Sequence, residues 1–257
     1  MTAINDLYMA DFDGEIYAKA IGSTSDIGRG EFQWAVEEFY HNFFSSGTVK
    51  GETLLDVGCG PLIRGVISAS AVIPNIYLGD FVESNRQILQ KWLSKQPGVA
   101  DYSTQLQHVA SLEGKTDFDY LEQRVRNAVK KVVHLDILSD KPLDPGEEQQ
   151  FDVVVSSLCL DCFPDDGYFR AMKNVSKLVK NGGRLALVAT IECSKYRVGD
   201  QQFPVAWIDE EKLRGALAGS DFEIDDFREK RFLRPLPEGF DNKGFFFVLA
   251  TKNNTCK

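Results

Sequence analysis

The sequence predicts an α/β fold built around a doubly wound, mainly parallel sheet of seven strands. Short apolar runs alternate along the chain with segments of helical periodicity, which is typical of a parallel sheet covered by helices on both faces. Some of these runs end in a glycine or an acid, as in "LLDVGCGP" at 54–61. Two further apolar runs stand close together near the C terminus. Ligands of such sheets bind beyond the carboxyl ends of the strands, so the residues after each strand are site candidates.

The first half of the chain contains three predicted strands. Phe32, Val36, Phe39 and Phe43 lie at helical spacing and predict a helix over 32–44. Short apolar runs closed by glycine or aspartate indicate buried strands, and apolar residues three or four apart indicate helices. The predictions that follow are a strand at 53–58, a helix at about 62–71, a strand at 75–80, a helix at 83–93, a polar insertion at 94–116, a helix at 118–132 and a strand at 132–136.

The second half of the chain continues the alternation of predicted strands and helices, and then ends with two strands in succession. Glycines close two of its amphipathic segments, and glycine is a usual stop signal for a helix. The late strands are joined by a loop rich in proline and glycine. The predictions are a strand at 151–157, a helix at 168–183, a strand at 184–190, a helix at 209–219 and strands at 222–232 and 244–252.

Composition excludes several classes of protein. The chain has 257 residues, a net charge of −9 and a pI near 5.0, so a nucleic-acid-binding surface is not expected. Five irregularly spaced cysteines are typical of free thiols in a reducing compartment. The acidic N terminus does not resemble a signal peptide, and no apolar run is long enough to cross a membrane. We expect a monomeric cytoplasmic protein without a metal, since only Cys159 and Cys162 stand close and no second pair or histidine accompanies them.

The stretch "DVGCG" places two glycines directly after the first predicted strand. Gly58 and Gly60 can turn sharply and let a ligand lie against the backbone, and a side chain at Gly58 would occupy the ligand's space. A third glycine two residues on is missing, which disfavours the dinucleotide fingerprint, and so is the Lys-Ser/Thr of a phosphate loop. A purely structural turn remains an alternative for this motif alone.

Polar residues also follow the next predicted strands. Asp80 comes about twenty residues after the glycines, where an acid suits the two hydroxyls of a ribose, and Phe81 follows it. Asp136 offers a hydrogen-bond acceptor, which suits the amino group of adenine, and Ile137 beside it offers an apolar surface for the adenine ring. Each aspartate alone could cap a helix, but their repetition after successive strands favours a nucleoside site.

The chain resembles the class I methyltransferases that use S-adenosylmethionine, and within them the nicotinamide, phenylethanolamine, and indolethylamine or thioether methyltransferases. The resemblance rests on "VKGETLLDVGCGP", "NRQILQKWL", "SSLCLDCFPDD", "KNGGRLALV", "YRVGDQQF" and "NKGFFFVLATK". It implies a Rossmann-like core over 51–257 and an N-terminal helical lid over 1–50. The cofactor contacts that it implies are Tyr17, Gly58, Gly60, Asp80, Phe81, Asn85, Asp136, Ile137 and Ser157.

An amine must be neutral to attack the methyl group, and an acid near it can bind the ammonium form and relay its proton. The resemblance puts such an acid at Asp161 in "LCLDC", whose alternative role is a helix cap. Asp241 in "GFDNKG" is the second candidate, with an exposed turn acid as the alternative. Glu192 is a third candidate, with a solvated side chain as the alternative.

The substrate pocket implied by the resemblance is apolar and lined by Ala189, Cys193, Tyr196 and Val205. Nicotinamide methyltransferases carry an aspartate and serines where Ala189, Cys193 and Val205 stand here. Trp207 and Phe240 would extend the apolar wall or belong to the core. These residues favour methylation of an aromatic or lipophilic amine. The alternatives are thioether S-methylation, nicotinamide N-methylation, and a protein that binds S-adenosylmethionine without catalysis.

Overall fold

The computed structural model describes residues 2–22, 27–98, 100–164, 166–232 and 241–254. Its helices are α1 (Ala3–Asp11), α2 (Gly14–Gly22), α3 (Ile27–Ser45), α4 (Glu83–Leu93), α5 (Ser103–Leu112), α6 (Asp119–Ala128), α7 (Asp166–Leu178) and α8 (Glu210–Ala218). Its strands are β1 (Thr53–Val57), β2 (Asn75–Asp80), β3 (Val129–His134), β4 (Phe151–Ser157), β5 (Val179–Ile191), β6 (Lys195–Val198), β7 (Gln201–Pro204), β8 (Phe222–Arg231) and β9 (Gly244–Lys252).

Seven strands form one sheet in the order β3-β2-β1-β4-β5-β9-β8, and β6 and β7 form a separate hairpin. The five strands from β3 to β5 run parallel, while β9 is antiparallel to both β5 and β8. The predicted fold class is confirmed. Because the chain moves outward from β1 to β3 and then returns to β4 on the other side of β1, the switch point lies between β1 and β4. A ligand is expected beyond the carboxyl ends of these two strands.

Each face of the sheet carries its own hydrophobic core. Leu54 belongs to the core that includes buried residues of α3, α4, α5 and α6, and its neighbour Leu55 belongs to the core that includes residues of α7 and α8. Successive side chains of a strand point to opposite faces, so an apolar run such as β1 fills both cores. This explains why the strands of this sheet are continuous apolar runs rather than alternating ones.

The helix predicted at 62–71 is wrong. Residues 61–68 form turns, and only Ala69–Ala71 make a short 3-10 helix. The whole of 61–70 is buried, so there is no solvated face to give an amphipathic helix. A Cβ on Gly65 would lie 2.6 Å from Oδ2 of Asp56, which shows how closely the backbone passes that carboxyl group.

Other boundaries also differ from the prediction. The region 94–116 contains α5, whose buried positions include Leu106 and Val109. Helices α6 and α7 end at Ala128 and Leu178, because strands β3 and β5 begin at the next residue. The runs "VKKV" and "VKNGG" have the spacing of a helix end, but sheet pairing decides their conformation.

Helices α1 and α2 lie within the range of the predicted helical lid, although their bounds were not predicted, and the β6–β7 hairpin was not predicted at all. These elements share a cluster of aromatic rings: Phe203 of β7 lies 5.0 Å from Tyr8, 5.7 Å from Phe12 and 5.4 Å from Tyr196, measured between ring centroids. The cluster joins elements that are far apart in sequence, which is why local periodicity does not reveal it. The division into a lid over 1–50 and a core over 51–257 stays a prediction. Across the described ranges, no helix has the length and apolar character of a membrane span.

Candidate active site

The glycine turn lies at the carboxyl end of β1 and is pinned to the end of β2. Gly58 and Gly60 have φ angles of +66° and +59°, in the left-handed region that favours glycine. The backbone N–H groups of Gly58 and Cys59 donate to the carbonyl oxygen of Gly79, at 2.8 and 3.1 Å. The N–H of Gly60 donates to Oδ2 of Asp80 at 2.8 Å. The glycine turn and Asp80, the acid at the end of β2, are therefore joined directly by a hydrogen bond.

The two glycines face different surroundings. A Cβ on Gly58 would lie 2.0 Å from Sγ of Cys159, so a side chain there would strike the protein itself. The expectation that it would also occupy the ligand's space stays a prediction. Among the atoms of the described residues, a Cβ on Gly60 would meet only Cε1 of Tyr17, at 3.9 Å. The open space beside this turn therefore lies at Gly60, between the backbone and the Tyr17 ring.

We expect Gly58→Ala and Gly60→Ala to behave differently. Gly58→Ala should lower the free energy of unfolding by about 2–4 kcal/mol, because a left-handed conformation and overpacking are both penalised. Gly60→Ala should cost only about 1–2 kcal/mol for its conformation, yet should weaken binding of a ligand in the open space. Urea unfolding and calorimetry measure the two effects. Equal stability of the two variants would contradict this assignment.

Asp80 is buried and accepts three hydrogen bonds. Its Oδ2 takes the Gly60 N–H, while its Oδ1 accepts from the N–H of Val82 at 2.9 Å and from Nδ2 of Asn85 at 3.0 Å. Burial raises the pKa of Asp80, and these hydrogen bonds oppose the shift. Nη1 of Arg86 donates to the carbonyl oxygens of Asp80 and Phe81. The structure thus brings Gly60, Asp80 and Asn85 together around one carboxylate.

Asp136 and Ile137 follow β3, at the carboxyl edge of the sheet. Oδ1 of Asp136 accepts from the N–H of Leu138 at 3.0 Å, and its Oδ2 accepts from Nδ2 of Asn5 at 3.3 Å. Ile137 is buried in the core shared with α7 and α8. Phe81 lies 5.7 Å from His134 between ring centroids. Helix α1 is thereby attached to the predicted adenine side through Asn5.

Ser157 ends β4, next to the switch point. Its Oγ lies 2.7 Å from the hydroxyl oxygen of Tyr40, a buried residue of α3. Leu158 follows with a φ of +56°, and Glu192 after β5 has a φ of +48°. Left-handed conformations of such residues are costly and occur preferentially at functional sites. Both strained residues follow strands whose ends border the predicted site.

Tyr17 of α2 and Tyr196 of β6 are the two tyrosines among the predicted site residues. Burial raises the pKa of both hydroxyl groups. The Tyr17 hydroxyl is hydrogen-bonded to the guanidinium of Arg64. The hydroxyl oxygen of Tyr196 lies 2.9 Å from that of Tyr8. These contacts connect α2 to the turn segment after β1, and α1 to the β6–β7 hairpin.

Asp161 lies in a short 3-10 turn, and its side chain is bound to β5 rather than to a helix terminus. Its Oδ2 accepts from the N–H and the hydroxyl of Thr190, at 3.1 and 2.8 Å. Only 2% of the residue is exposed, and no other described residue donates a hydrogen bond to Oδ1. Burial raises the pKa of Asp161, against the two Thr190 hydrogen bonds. A buried carboxylate oxygen without a donor is costly, so this atom is suited to a cationic ligand.

The other two acids already have partners. Oδ1 of Asp241 accepts from the N–H of Ser194 at 3.0 Å, and its Oδ2 accepts from the Ser194 hydroxyl. These bonds lower its pKa against the effect of burial. Sγ of Cys193 lies 3.4 Å from Oδ1 of Asp241. Glu192 forms an ion pair with Arg231 at 3.3 Å.

Two of the predicted apolar residues, Ala189 and Val205, are next in sequence to residues that hydrogen-bond to Asp161. Ala189 precedes Thr190 on β5 and is buried, as are Cys193 and Val205. The N–H of Ala206, next to Val205, donates to the carbonyl oxygen of Asp161 at 2.7 Å. Trp207 is 50% exposed, so it does not form a closed wall. Phe240 lies outside the described residues.

Sequence reasoning missed several residues of this region. Arg64, Tyr40 and Asn5 are buried polar groups beside the predicted contacts, and Thr190 holds Asp161. Only Arg64 left a signal, as a lone charge inside the apolar stretch "PLIRGVISASAVI". The others became visible through contacts between distant elements.

The chain is similar in sequence to proteins of known activity. A family model described as "NNMT/PNMT/TEMT family" matches residues 6–253. The chain is 36% identical over 215 residues to phenylethanolamine N-methyltransferase of Sus scrofa, covering 81% of this chain and 76% of that one. It is 31% identical over 223 residues to indolethylamine N-methyltransferase of Oryctolagus cuniculus, with 84% and 82% covered.

A solved structure shares the fold at low sequence identity. Magnesium protoporphyrin IX methyltransferase of Synechocystis, solved with S-adenosylhomocysteine bound, superposes with a TM-score of 0.62 at 14% identity, covering 97% of this chain and 98% of that one. This likeness supports the class I methyltransferase fold. The sequence matches go further, because the family model spans nearly the whole chain. The chain belongs to the NNMT/PNMT/TEMT family.

Proposed function

We propose that the chain transfers the methyl group of S-adenosylmethionine to the nitrogen of a small aromatic or lipophilic amine. The observation that carries this proposal is Oδ1 of Asp161, a buried carboxylate oxygen with no donor from another described residue. An ammonium group would supply the missing donor. Phenylethanolamine and indolethylamine, which the names of the two relatives give, are amines with an aromatic body.

The glycine turn and the strand-end acids fit the nucleoside of this cofactor. Gly60 leaves open space under Tyr17, and Asp80 stands beside it with its carboxylate held by backbone donors. Carboxylate oxygens can accept further hydrogen bonds from ribose hydroxyls. Asp136 and Ile137 offer an acceptor and an apolar surface for adenine. Tyr17, Phe81, Asn85 and Ser157 border the same space in the proposal.

S-adenosylmethionine supplies a methyl group on a sulfonium, which a neutral amine attacks directly. The protein aligns the amine and excludes water, and alignment alone is worth up to ~7–11 kcal/mol. Asp161 binds the ammonium form and takes its proton, so that the free amine can attack. Asp241 is the second candidate acceptor. Tyr196, Ala189, Cys193 and Val205 form the wall against which the body of the substrate packs.

The pocket is expected to disfavour nicotinamide. Its carboxamide would be buried against Ala189, Cys193 and Val205, and each unpaired polar group costs about 1–3 kcal/mol. Nicotinamide also has no proton for Asp161 to take from its ring nitrogen. We infer that an amine on an aromatic body is methylated faster.

A panel of acceptors with isotopically labelled S-adenosylmethionine tests the function. We expect transfer to tryptamine and phenylethanolamine, weaker transfer to a dialkyl sulfide and least to nicotinamide. A preference for the sulfide would replace the proposal by thioether S-methylation. Transfer to none of them, with the cofactor still bound, would indicate a binding protein without catalysis. Nicotinamide as the fastest substrate would contradict the pocket assignment.

We also propose that the protein is a cytoplasmic monomer and acts on small molecules. The four described cysteines are free thiols, which suits a reducing compartment. Size-exclusion chromatography with light scattering would contradict the monomer if it gave twice the mass of 28.8 kDa.

A further inference from the structure

Cys159 and Cys162 form a Cys-x-x-Cys motif shortly after β4, and the proposed reaction does not use it. In a protein of alternating strands and helices with free thiols, this spacing is typical of a redox pair. Both residues are partly exposed, whereas the other two described cysteines, Cys59 and Cys193, are buried. Within the described ranges, no group of histidines, cysteines and acids could hold a metal ion. The motif therefore calls for a role other than metal binding or packing.

The backbone already holds the two cysteines at the ends of one turn. The N–H of Cys162 donates to the carbonyl oxygen of Cys159 at 3.0 Å. Cys159 directly precedes the 3-10 turn Leu160–Cys162. A turn keeps the Cα atoms of residues i and i+3 within about 7 Å, and a disulfide needs about 4.4–6.8 Å between Cα atoms. Bond formation therefore needs rotation of the two side chains rather than a rearrangement of the chain.

The two sulfur atoms have separate neighbours in the dithiol form. Sγ of Cys162 donates to the carbonyl oxygen of Leu158 at 3.2 Å, so it lies against the peptide group that leads into Cys159. Sγ of Cys159 lies over Gly58, in the space that a Cβ of that residue would need. A thiol is only a weak hydrogen-bond donor, so little is lost when Cys162 leaves the carbonyl oxygen.

We propose that Cys159 and Cys162 are a modification site: under oxidising conditions they form a reversible disulfide, which constrains the turn that carries Asp161 and so slows methyl transfer to amines. The effect on transfer rests on the proposed function, whereas the disulfide does not.

A peroxide is the class of oxidant that balances this step. One thiolate attacks a peroxide oxygen, the O–O bond breaks, and the products are a sulfenic acid and, with the proton of that thiol, water. The second thiol attacks the sulfenic sulfur, the S–O bond breaks, and a second water leaves with the second proton. Two thiols are thereby oxidised to one disulfide, and hydrogen peroxide is reduced to two waters.

The surroundings of the thiols make this a slow and persistent modification. Burial raises the pKa of both thiol groups, so little thiolate is present at neutral pH to attack an oxidant. The same property preserves the disulfide once it has formed, because a thiol of high pKa is a poor leaving group when the bond is reopened. The pair therefore responds to sustained oxidation rather than to short pulses.

Asp161 lies inside the ring that the disulfide closes. Its side chain is bound to Thr190, and its carbonyl oxygen accepts from the N–H of Ala206 at 2.7 Å. A covalent link between Cys159 and Cys162 constrains the peptide groups of both intervening residues. Since a displacement of about 1 Å at a reacting group can cost roughly a hundredfold in rate, we expect the oxidised protein to methylate an amine at least about tenfold more slowly.

Peroxide treatment, alkylation and mass spectrometry test the site. In the wild type we expect two of the five thiols to become resistant to alkylation after unfolding. Fragmentation should place the link between residues 159 and 162, and dithiothreitol should restore both thiols and the rate of transfer to tryptamine. Cys162→Ala should form no such link. Cys193→Ala is the matched control, which removes a different described thiol and should form the same link as the wild type.

The mapped link in the wild type does not depend on any variant. Absence of a link between residues 159 and 162, or a link from Cys59 to Cys159, would overturn the inference. A link at the expected residues with unchanged transfer to tryptamine would overturn its second half, in which oxidation slows the enzyme. No transfer to any amine by the reduced protein would contradict the proposed function, and the mapped link would still decide the first half.

Discussion

Asp80→Ala is expected to reduce the affinity for S-adenosylhomocysteine by roughly a hundredfold or more. Hydrogen bonds to a charged group contribute about 1.5–3 kcal/mol each, and in the proposal the ribose makes two of them. The variant also removes the acceptor of three protein donors, on Gly60, Val82 and Asn85. The Gly60 N–H is part of the turn against which the ligand lies, so its orientation would be lost as well. Calorimetric titration measures the effect.

Asp152→Ala is the control for this variant. Asp152 is also an acid on a central strand, and its carboxylate likewise accepts hydrogen bonds from the backbone, here the N–H groups of Glu52 and Thr53. It lies at the start of β4, at the opposite edge of the sheet from the glycine turn. We expect Asp152→Ala to lower the melting temperature while leaving ligand affinity unchanged. If a folded Asp80→Ala protein binds as tightly as the wild type, Asp80 does not belong to the site.

The features that sequence predicts well are those fixed by short-range patterns. A buried parallel strand must be apolar on both faces, so β1, β2 and β4 appear as apolar runs. The acids that end strands are adjacent in space because parallel strands share one carboxyl edge, and this is why Asp80 could be placed beside Gly60 before any contact was known. The seven strands and the mainly parallel order follow from the same alternation.

The features that sequence misses depend on packing between distant segments. The turns at 61–68 look like a helix, but their surroundings bury them on every side. Phe203 and Tyr196 belong to a polar stretch, and their pairing with Tyr8 and Phe12 is created by the fold. The binding of Asp161 to Thr190 likewise joins β5 to a turn 29 residues earlier. Such contacts produce no periodic pattern of apolar residues in the sequence.

Asp161→Asn is expected to lower kcat/KM for an amine by roughly a hundredfold or more, the usual contribution of a proton acceptor. The change is nearly isosteric: the amide oxygen can accept the two Thr190 hydrogen bonds, and the NH₂ group replaces Oδ1. An amide nitrogen cannot accept a proton from an ammonium group. Affinity for S-adenosylhomocysteine should stay within about twofold, and turnover of a dialkyl sulfide should change little, because a sulfide has no proton to lose.

The pH dependence separates proton transfer from mere binding. Burial raises the pKa of Asp161, and only its ionised form accepts a proton, so kcat/KM for amines should fall as pH decreases through that raised pKa and level off above it. Thr190→Val removes a hydrogen bond that lowers the pKa, so the acid limb should move to higher pH. In Asp161→Asn the decrease of kcat/KM at low pH through the pKa of Asp161 should disappear. The pH dependence that remains should come only from the ionisation of the amine. An Asp161→Asn enzyme that keeps the wild-type rate and acid limb would show that another group takes the proton, and Asp241 would then be the next acid to replace.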